Sequence, residues 1–302
     1  MALNFLIRGT GRIGGGRVSS RTIHEGSRRG IRECGVLTEQ QLDCFNTQGF
    51  VMVPEVLSAS EVATLQAGVW QTFPSPQQYF TDSGAYAHLT EHAFSGLNNF
   101  PWASPELNRL VAHPQIVSIA RQILGVDEYV GKTDYDQHHH RDFGNHTLVV
   151  PTMERRWMQV TTFTYLGDVD EHNGATAAVP KPYSAHIPLG QRLVSPGELR
   201  DVEVLATGKA GTILVYSTEV FHRGTALTGP NASRFTMLAD YRAADATWTN
   251  KQAFGHLGNR PEMIEFVTNV DADTRTLLDI PAAGHPYWTE QTSYDRRRAR
   301  SS

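Results

Sequence analysis

The feature that most restricts the fold of this chain is a change of hydrophobic period near residue 128. From there on, apolar and polar residues alternate in short runs separated by Gly, Pro, Asn and Asp, which is typical of strands joined by turns. Eight short strands after a helical N-terminal part predict a mainly β sandwich or jelly roll with helices packed outside. The candidate strands are 128–137, 146–150, 157–166, 175–179, 184–188, 202–205, 211–217 and 234–241.

The part before residue 128 shows the start signals of helices. Ser58 and Glu61 form a capping box, and the pair Ser104-Pro105 is typical of a helix start. Residues 74–103 are rich in proline and aromatic residues without a clear period, which predicts a lid. Helices are predicted over 38–45, 58–71 and 104–124, the last interrupted near Pro114, with a strand at 50–53.

Charge divides the chain into a basic leader, an acidic body and a basic tail. Residues 1–34 carry a net charge of +5 and residues 291–302 carry +3, so the body carries −12 within a total of −4. Residues 9–14 match the GxGxxG pattern of dinucleotide sites, but no amphipathic helix follows them. The predicted organisation is a disordered Gly/Arg-rich leader over 1–36, one folded domain over 37–290 with its β core at about 128–245, and a basic tail over 291–302.

Composition and charge exclude several classes of function. Hydrophobic residues make up 40% of the chain, as in globular proteins, and no apolar run is long enough for a membrane span. An acidic body lacks the basic groove that nucleic-acid binding needs. The two cysteines cannot build a disulfide framework and no signal-peptide pattern is present, so we expect a cytoplasmic protein. The expected partner is a small molecule, and the oligomeric state stays open.

Candidate metal ligands occur in two places in the strand-rich half. His140 and Asp142 are two residues apart, so both side chains project from one face of an extended segment. A further histidine, His222, follows an apolar run and is interpreted as the end of that strand. Two histidines and one carboxylate occupy one face of an octahedron and leave three positions open, as in non-heme Fe(II) oxygenases. Arg234 stands at the start of the next strand, where its planar fork of donors can clamp a carboxylate.

The same residues allow other metal sites. His138, His140 and His222 could form a three-histidine site of the cupin type, although residues 141–145 lack the Glu that cupins usually have a few residues after His-x-His. Glu219 and His222 match the Glu-x-x-His pattern of di-iron helical bundles, which needs helices and a second copy. The order of the motifs along the chain favours the two-histidine, one-carboxylate set.

These residues in combination resemble the phytanoyl-CoA dioxygenase (PhyH-like) family of Fe(II)/2-oxoglutarate-dependent oxygenases. The resemblance covers most of residues 37–245, and residues 1–36 and 246–302 lie outside it. It is carried by 37–41, 49–54, the box His140-Arg141-Asp142 (the HRD box) with 143–147, then 165–169, Asn173-Gly174-Ala175-Thr176, 179–180, 211–214, His222 and Arg234.

The resemblance implies a double-stranded β-helix (jelly roll, cupin-like) that holds Fe(II) through His140, Asp142 and His222. It implies that Arg234 binds the distal carboxylate of 2-oxoglutarate, and it makes Gln137 and Thr176 candidates for contacts to the same co-substrate. The expected cofactors are Fe(II), 2-oxoglutarate and O2, with ascorbate as a stimulating reductant. The chain departs from the family's usual pattern at Ala175 and over 180–186, where the family more often shows Gly-Pro-Thr and Pro-Gly-Ser-His.

The implied activity is hydroxylation, desaturation or a related oxidation of a C–H bond in a small molecule, in natural-product biosynthesis. It is coupled to the decarboxylation of 2-oxoglutarate to succinate and CO2. A halogenase of the family would have a small residue in place of Asp142, so halogenation is disfavoured. Two alternatives stay open: a cupin-type metal protein of different chemistry, and a non-catalytic PhyH-like binding protein.

Overall fold

The structure is a computed structural model, and it describes part of the chain. The described residues are the backbone of 2–4, then 37–71, 73–86, 101–102, 104–124, 141, 159–188, 191, 193–195, 197–229, 232–242, 261–271, 274–275, 285–286 and 289. Within these residues, no helix is long and apolar enough to cross a membrane.

The secondary structure is helical first and β-rich afterwards. The strands bounded within the described residues are β1 (Ala2–Asn4), β2 (Phe50–Val53), β3 (Gln159–Tyr165), β4 (Thr176–Ala178), β5 (Val204–Ala206), β6 (Ile213–Ser217), β7 (His222–Gly224) and β8 (Thr236–Arg242). The helices bounded there are α1 (Glu39–Gln48), α2 (Ala59–Trp70), α3 (Pro76–Thr81), α4 (Pro105–Leu110), α5 (Pro114–Leu124), α6 (Lys181–Ser184) and α7 (Pro261–Asn269), with 3₁₀ helices at Ser83–Tyr86 and Arg200–Val202.

The strands form two sheets. The larger sheet has the order β1-β8-β3-β6-β2 and the smaller one the order β5-β4-β7. Neighbouring strands are antiparallel except for β1, which pairs parallel with β8.

Alternation along the larger sheet gives it two different apolar faces. Val160, Val215 and Ala239 point into a core shared with α1, α2, α4, α5 and α7. Leu214 and Tyr216 point the other way, into a core shared with the smaller sheet. Helices, large sheet and small sheet therefore form successive layers, each burying apolar surface against the next. The predicted fold class is confirmed: a mainly β jelly roll with helices packed outside.

The predicted helix starts are confirmed where they rest on caps, whereas the first helix continues to Gln48, three residues beyond its predicted end. Thr38 and Ser58 each accept a hydrogen bond from a backbone N–H of the first turn, and each belongs to a complete capping box. Helix α1 ends at Gly49, whose φ of 85° is left-handed. The interruption near Pro114 separates α4 from α5.

Several predicted elements need correction. The strand predicted at 184–188 is wrong, because helix α6 and a turn occupy that stretch and Pro182 suits the first helical turn. Residues 200–202 form a 3₁₀ helix, so strand β5 begins only at Val204. The segment 74–103, predicted to be irregular, contains α3 and a 3₁₀ helix. Helix α7 is not predicted from the sequence.

Other predictions lie outside the described residues. These are the strands at 128–137 and 146–150 and most of 87–103. The division into leader, domain and tail stays a prediction, because only residues 2–4 of the leader are described, and they pair with β8.

Gly211 fixes the approach of β6 to the chain that precedes α2. Its carbonyl accepts a hydrogen bond from the Leu57 N–H at 3.1 Å, its φ is 87°, and an added Cβ would overlap the carbonyl oxygen of Leu57. Gly197 has the same φ but open space around it.

We predict that Gly211→Ala lowers the free energy of unfolding by about 3 kcal/mol, the sum of left-handed strain and overpacking. Gly197→Ala, the matched control, carries the strain alone and should cost about 1 kcal/mol. Denaturant unfolding of both variants measures the difference. Equal losses would contradict the close approach at Gly211.

Candidate functional site

His222 opens strand β7 of the smaller sheet, opposite Ala178 of β4. The apolar strand before it ends at Ser217, so the expectation that His222 ends that strand is wrong. Its imidazole is buried, with 4% of the residue exposed. Nδ1 lies 3.1 Å from the carbonyl oxygen of Val220 and must donate to it, because a carbonyl only accepts. This bond leaves Nε2 as the nitrogen with the lone pair, which is how a metal-binding imidazole is oriented.

Tyr216 is a residue of this site that sequence reasoning missed. Its hydroxyl lies 3.4 Å from Nε2 of His222, and the two ring centroids are 4.5 Å apart. Tyr216 is buried on the face of β6 that points toward the smaller sheet, where Phe163 packs beside it at 5.6 Å between centroids. Alternation along β6 indicates which way Tyr216 points. The turn at 218–221 reverses the chain into β7, and this reversal brings His222 against Tyr216.

Thr176 lies on the same face of the smaller sheet as His222. It pairs with Gly224 across β4 and β7, while Ala178 pairs with His222. Residues two apart on a strand share a face, so the Thr176 side chain and the imidazole point into the same space between the sheets. The structure therefore brings these two predicted site residues together.

Arg234 precedes β8 by two residues and reaches the far end of the same space. Its guanidinium donates a hydrogen bond to the carbonyl of Gly174. Gly174 is four residues before Ala178, which pairs with His222, so the contact lies at most about 13 Å along the chain from the strand partner of His222. The residue as a whole is exposed, yet protein atoms around the guanidinium remove enough water to lower its pKa. Attraction to the neighbouring Tyr165 opposes that shift.

Arg141 is the described residue of the HRD box. It is buried, and its guanidinium donates to the carbonyls of Ser184, Ile187 and Pro188 at 2.8–3.4 Å. The guanidinium carbon also lies 4.1 Å from the ring centroid of Phe221, which directly precedes His222. Burial lowers the pKa of Arg141 to about 10, and the charge of Glu219 opposes this shift. Arg141 thus contacts the residue that directly precedes the His222 strand.

The remaining predicted site residues lie outside the described residues. These are Gln137, His138, His140 and Asp142. Over the described ranges, no three His, Cys, Asp or Glu side chains are grouped as a metal site would need, and His222 is the one predicted ligand among them. Glu219 lies in the turn before β7 rather than on a helix, so the di-iron alternative loses the helix that its motif needs.

Two cavities open among the described residues, and neither is lined by His222. The larger, about 760 Å³, lies between α2, α4 and α7 on the helical side of the larger sheet. The second, about 620 Å³, lies beside α2 and is lined by Gln66, Trp70 and Phe235 among others.

Comparison with known proteins identifies relatives of this chain. Its sequence is 23% identical over 218 residues to the ectoine dioxygenase of Nocardia farcinica, which covers 62% of this chain and 72% of that protein. The structure resembles SnoK, a non-heme alpha-ketoglutarate-dependent carbocyclase of nogalamycin biosynthesis, with a TM-score of 0.46 and 21% identity over 73% of this chain and 90% of that one. HygX from Streptomyces hygroscopicus, with nickel and 2-oxoglutarate bound, gives a TM-score of 0.47 and 19% identity over 72% of this chain and 90% of that one.

The family comparison is decisive. Residues 45–236 match the phytanoyl-CoA dioxygenase (PhyH) family model, and this range includes every predicted site residue from Gln137 to Arg234. The resemblance predicted from the sequence is confirmed, and the chain belongs to the phytanoyl-CoA dioxygenase family.

Proposed function

We propose that this chain is a non-heme Fe(II)/2-oxoglutarate-dependent dioxygenase that oxidises a C–H bond of a small organic molecule. The observation that carries the proposal is the 4.1 Å contact between Arg141 and Phe221. Arg141 stands between His140 and Asp142 in the sequence, and Phe221 is the neighbour of His222, so the contact supports one shared site for the three proposed ligands. Membership of a dioxygenase family supports the same reading.

The described part of the donor set suits Fe(II). The buried His222 presents a neutral imidazole whose Nδ1 proton is held by the Val220 carbonyl. His140 and Asp142 would supply a second imidazole and a carboxylate, completing the set that leaves positions for a bidentate keto acid and O2. When bound, the iron supplies the chemistry that couples decarboxylation of 2-oxoglutarate, to succinate and CO2, with oxidation of the substrate.

The protein side chains bind and orient the co-substrate. Arg234 carries five N–H donors and spends one on the Gly174 carbonyl, so donors remain for the distal carboxylate of 2-oxoglutarate. Thr176 lies between the Gly174 contact and the His222 pairing on the inner face, which suits a hydroxyl contact to the same molecule. Gln137 would contact its other end. Phe163 and Tyr216 line the space with aromatic rings that exclude water around His222.

The finer assignment is hydroxylation or desaturation of a small natural-product intermediate in the cytoplasm. The relative named ectoine dioxygenase supports a small organic substrate. Release of succinate from 2-oxoglutarate, tested with a panel of small molecules, distinguishes this function from a non-catalytic binding protein, which would release none.

We predict that His222→Ala weakens Fe(II) binding by more than about 100-fold, because removing a metal ligand costs more than removing the group that orients one. Succinate release should fall with it, while the protein stays folded. Anaerobic calorimetric titration with Fe(II) measures the binding, and circular dichroism measures the fold. His172→Ala, an exposed histidine, is the control. Undiminished iron binding by His222→Ala would contradict the proposal.

We predict that Arg234→Lys raises the dissociation constant for 2-oxoglutarate about tenfold or more, because an ammonium cannot reproduce the bidentate fork on a carboxylate. Anaerobic titration of the iron-loaded protein with 2-oxoglutarate measures this constant. Arg200→Lys, on an exposed 3₁₀ helix, should leave it unchanged. The proposed role of Arg234 fails if its variant binds as tightly as this control.

A further inference from the structure

One short segment joins the two parts of the chain that carry the proposed metal ligands. This segment, residues 180–188, is called the bridge; it contains α6 and the turn that follows. Its first end is tied to the turn before His222. Lys181 Nζ lies 2.5 Å from Oε2 of Glu219, a carboxylate in a residue that is only 3% exposed. Just before the bridge, the Val179 N–H donates to the Phe221 carbonyl at 2.8 Å.

The other end of the bridge is tied to the HRD box. The Arg141 guanidinium donates to the carbonyl of Ser184, the last residue of α6, and to those of Ile187 and Pro188 in the turn that follows. It therefore holds three carbonyls of the bridge at once. A buried guanidinium is costly unless its donors are used, so this arrangement favours one position of Arg141 over others.

The two ends are also joined directly. The Arg141 guanidinium lies over the Phe221 ring at 4.1 Å, within the range of a cation–π contact. Lys181 pairs with Glu219 in the same turn. Arg141 and Lys181 therefore both contact the residues that lead into His222.

We infer that Arg141, Lys181 and Glu219 are positioning residues that fix the HRD box relative to His222 before the metal binds. None of the three is proposed to touch the metal or the co-substrate. They act through the bridge, which preorganises the ligand-bearing segments so that less free energy is lost in ordering them when Fe(II) binds. The inference rests on the proposed function, in which His140, Asp142 and His222 bind Fe(II).

The test measures metal affinity on folded protein. Arg141→Lys keeps the charge but loses the fork, and Lys181→Met removes the tie to Glu219 from a side chain that is one-third exposed. Each purified variant is titrated anaerobically with Fe(II) well below its melting temperature, which circular dichroism measures separately on the metal-free protein. We expect Arg141→Lys to weaken Fe(II) binding 10- to 100-fold and Lys181→Met about tenfold, as for other groups that orient metal ligands.

Matched controls separate this role from a purely structural one. Lys209→Met breaks a lysine–carboxylate pair of similar length, to Asp168, on the exposed surface away from the bridge, and should leave Fe(II) affinity unchanged. The inference is overturned if Arg141→Lys and Lys181→Met lower only the melting temperature and bind Fe(II) within twofold of the unmodified chain. If Arg141→Lys does not fold, Lys181→Met alone decides. His222→Ala separates failure of this inference from failure of the proposed function, because normal iron binding by that variant would overturn the proposed function itself.

Discussion

The site depends on the burial of one guanidinium. Arg141 is 3% exposed, and a buried arginine must find acceptors for its donors or the fold bears a large desolvation cost. It finds three carbonyls in the bridge and an aromatic face at Phe221. Because these acceptors come from a segment that is also tied to Glu219, one side chain links the first predicted ligand motif with the strand of His222.

The two-faced larger sheet sets the chemical character of the space beside His222. Along β6, Ile213 and Val215 face the helices, whereas Leu214 and Tyr216 face the smaller sheet. A slip of one residue in the register would exchange these faces and put the Tyr216 hydroxyl into the apolar helical core. The helices therefore do more than cover the sheet: the apolar surface that they bury specifies which side chains of β6 are presented to the site.

The sequence predicted those features that depend on near neighbours in the chain. The capping box at Ser58, the helix break near Pro114 and the strands at 50–53, 157–166, 175–179, 211–217 and 234–241 depend on local patterns, and the structure bears them out. The strand predicted at 184–188 is wrong because an alternating pattern over five residues also fits the end of a helical turn followed by a loop. The contacts of Tyr216 and Arg141 could not be predicted, since they depend on the turn at 218–221 and on where the chain packs α6. The order of the motifs along the chain indicated the family. Contacts between residues far apart in the chain leave no pattern in a single sequence.

The departure from the usual family pattern over residues 180–186 lies within the bridge, where it restricts the backbone. Where the family more often has Pro-Gly-Ser-His, this chain begins the bridge with Pro180, Lys181 and Pro182. Two prolines restrict the backbone on either side of Lys181 and reduce the conformations that the unbound segment can adopt. The lysine between them is thereby held where it meets Glu219. A glycine in this stretch would leave the bridge freer, so rigidity in this chain comes from proline geometry and an ion pair acting on the same few residues.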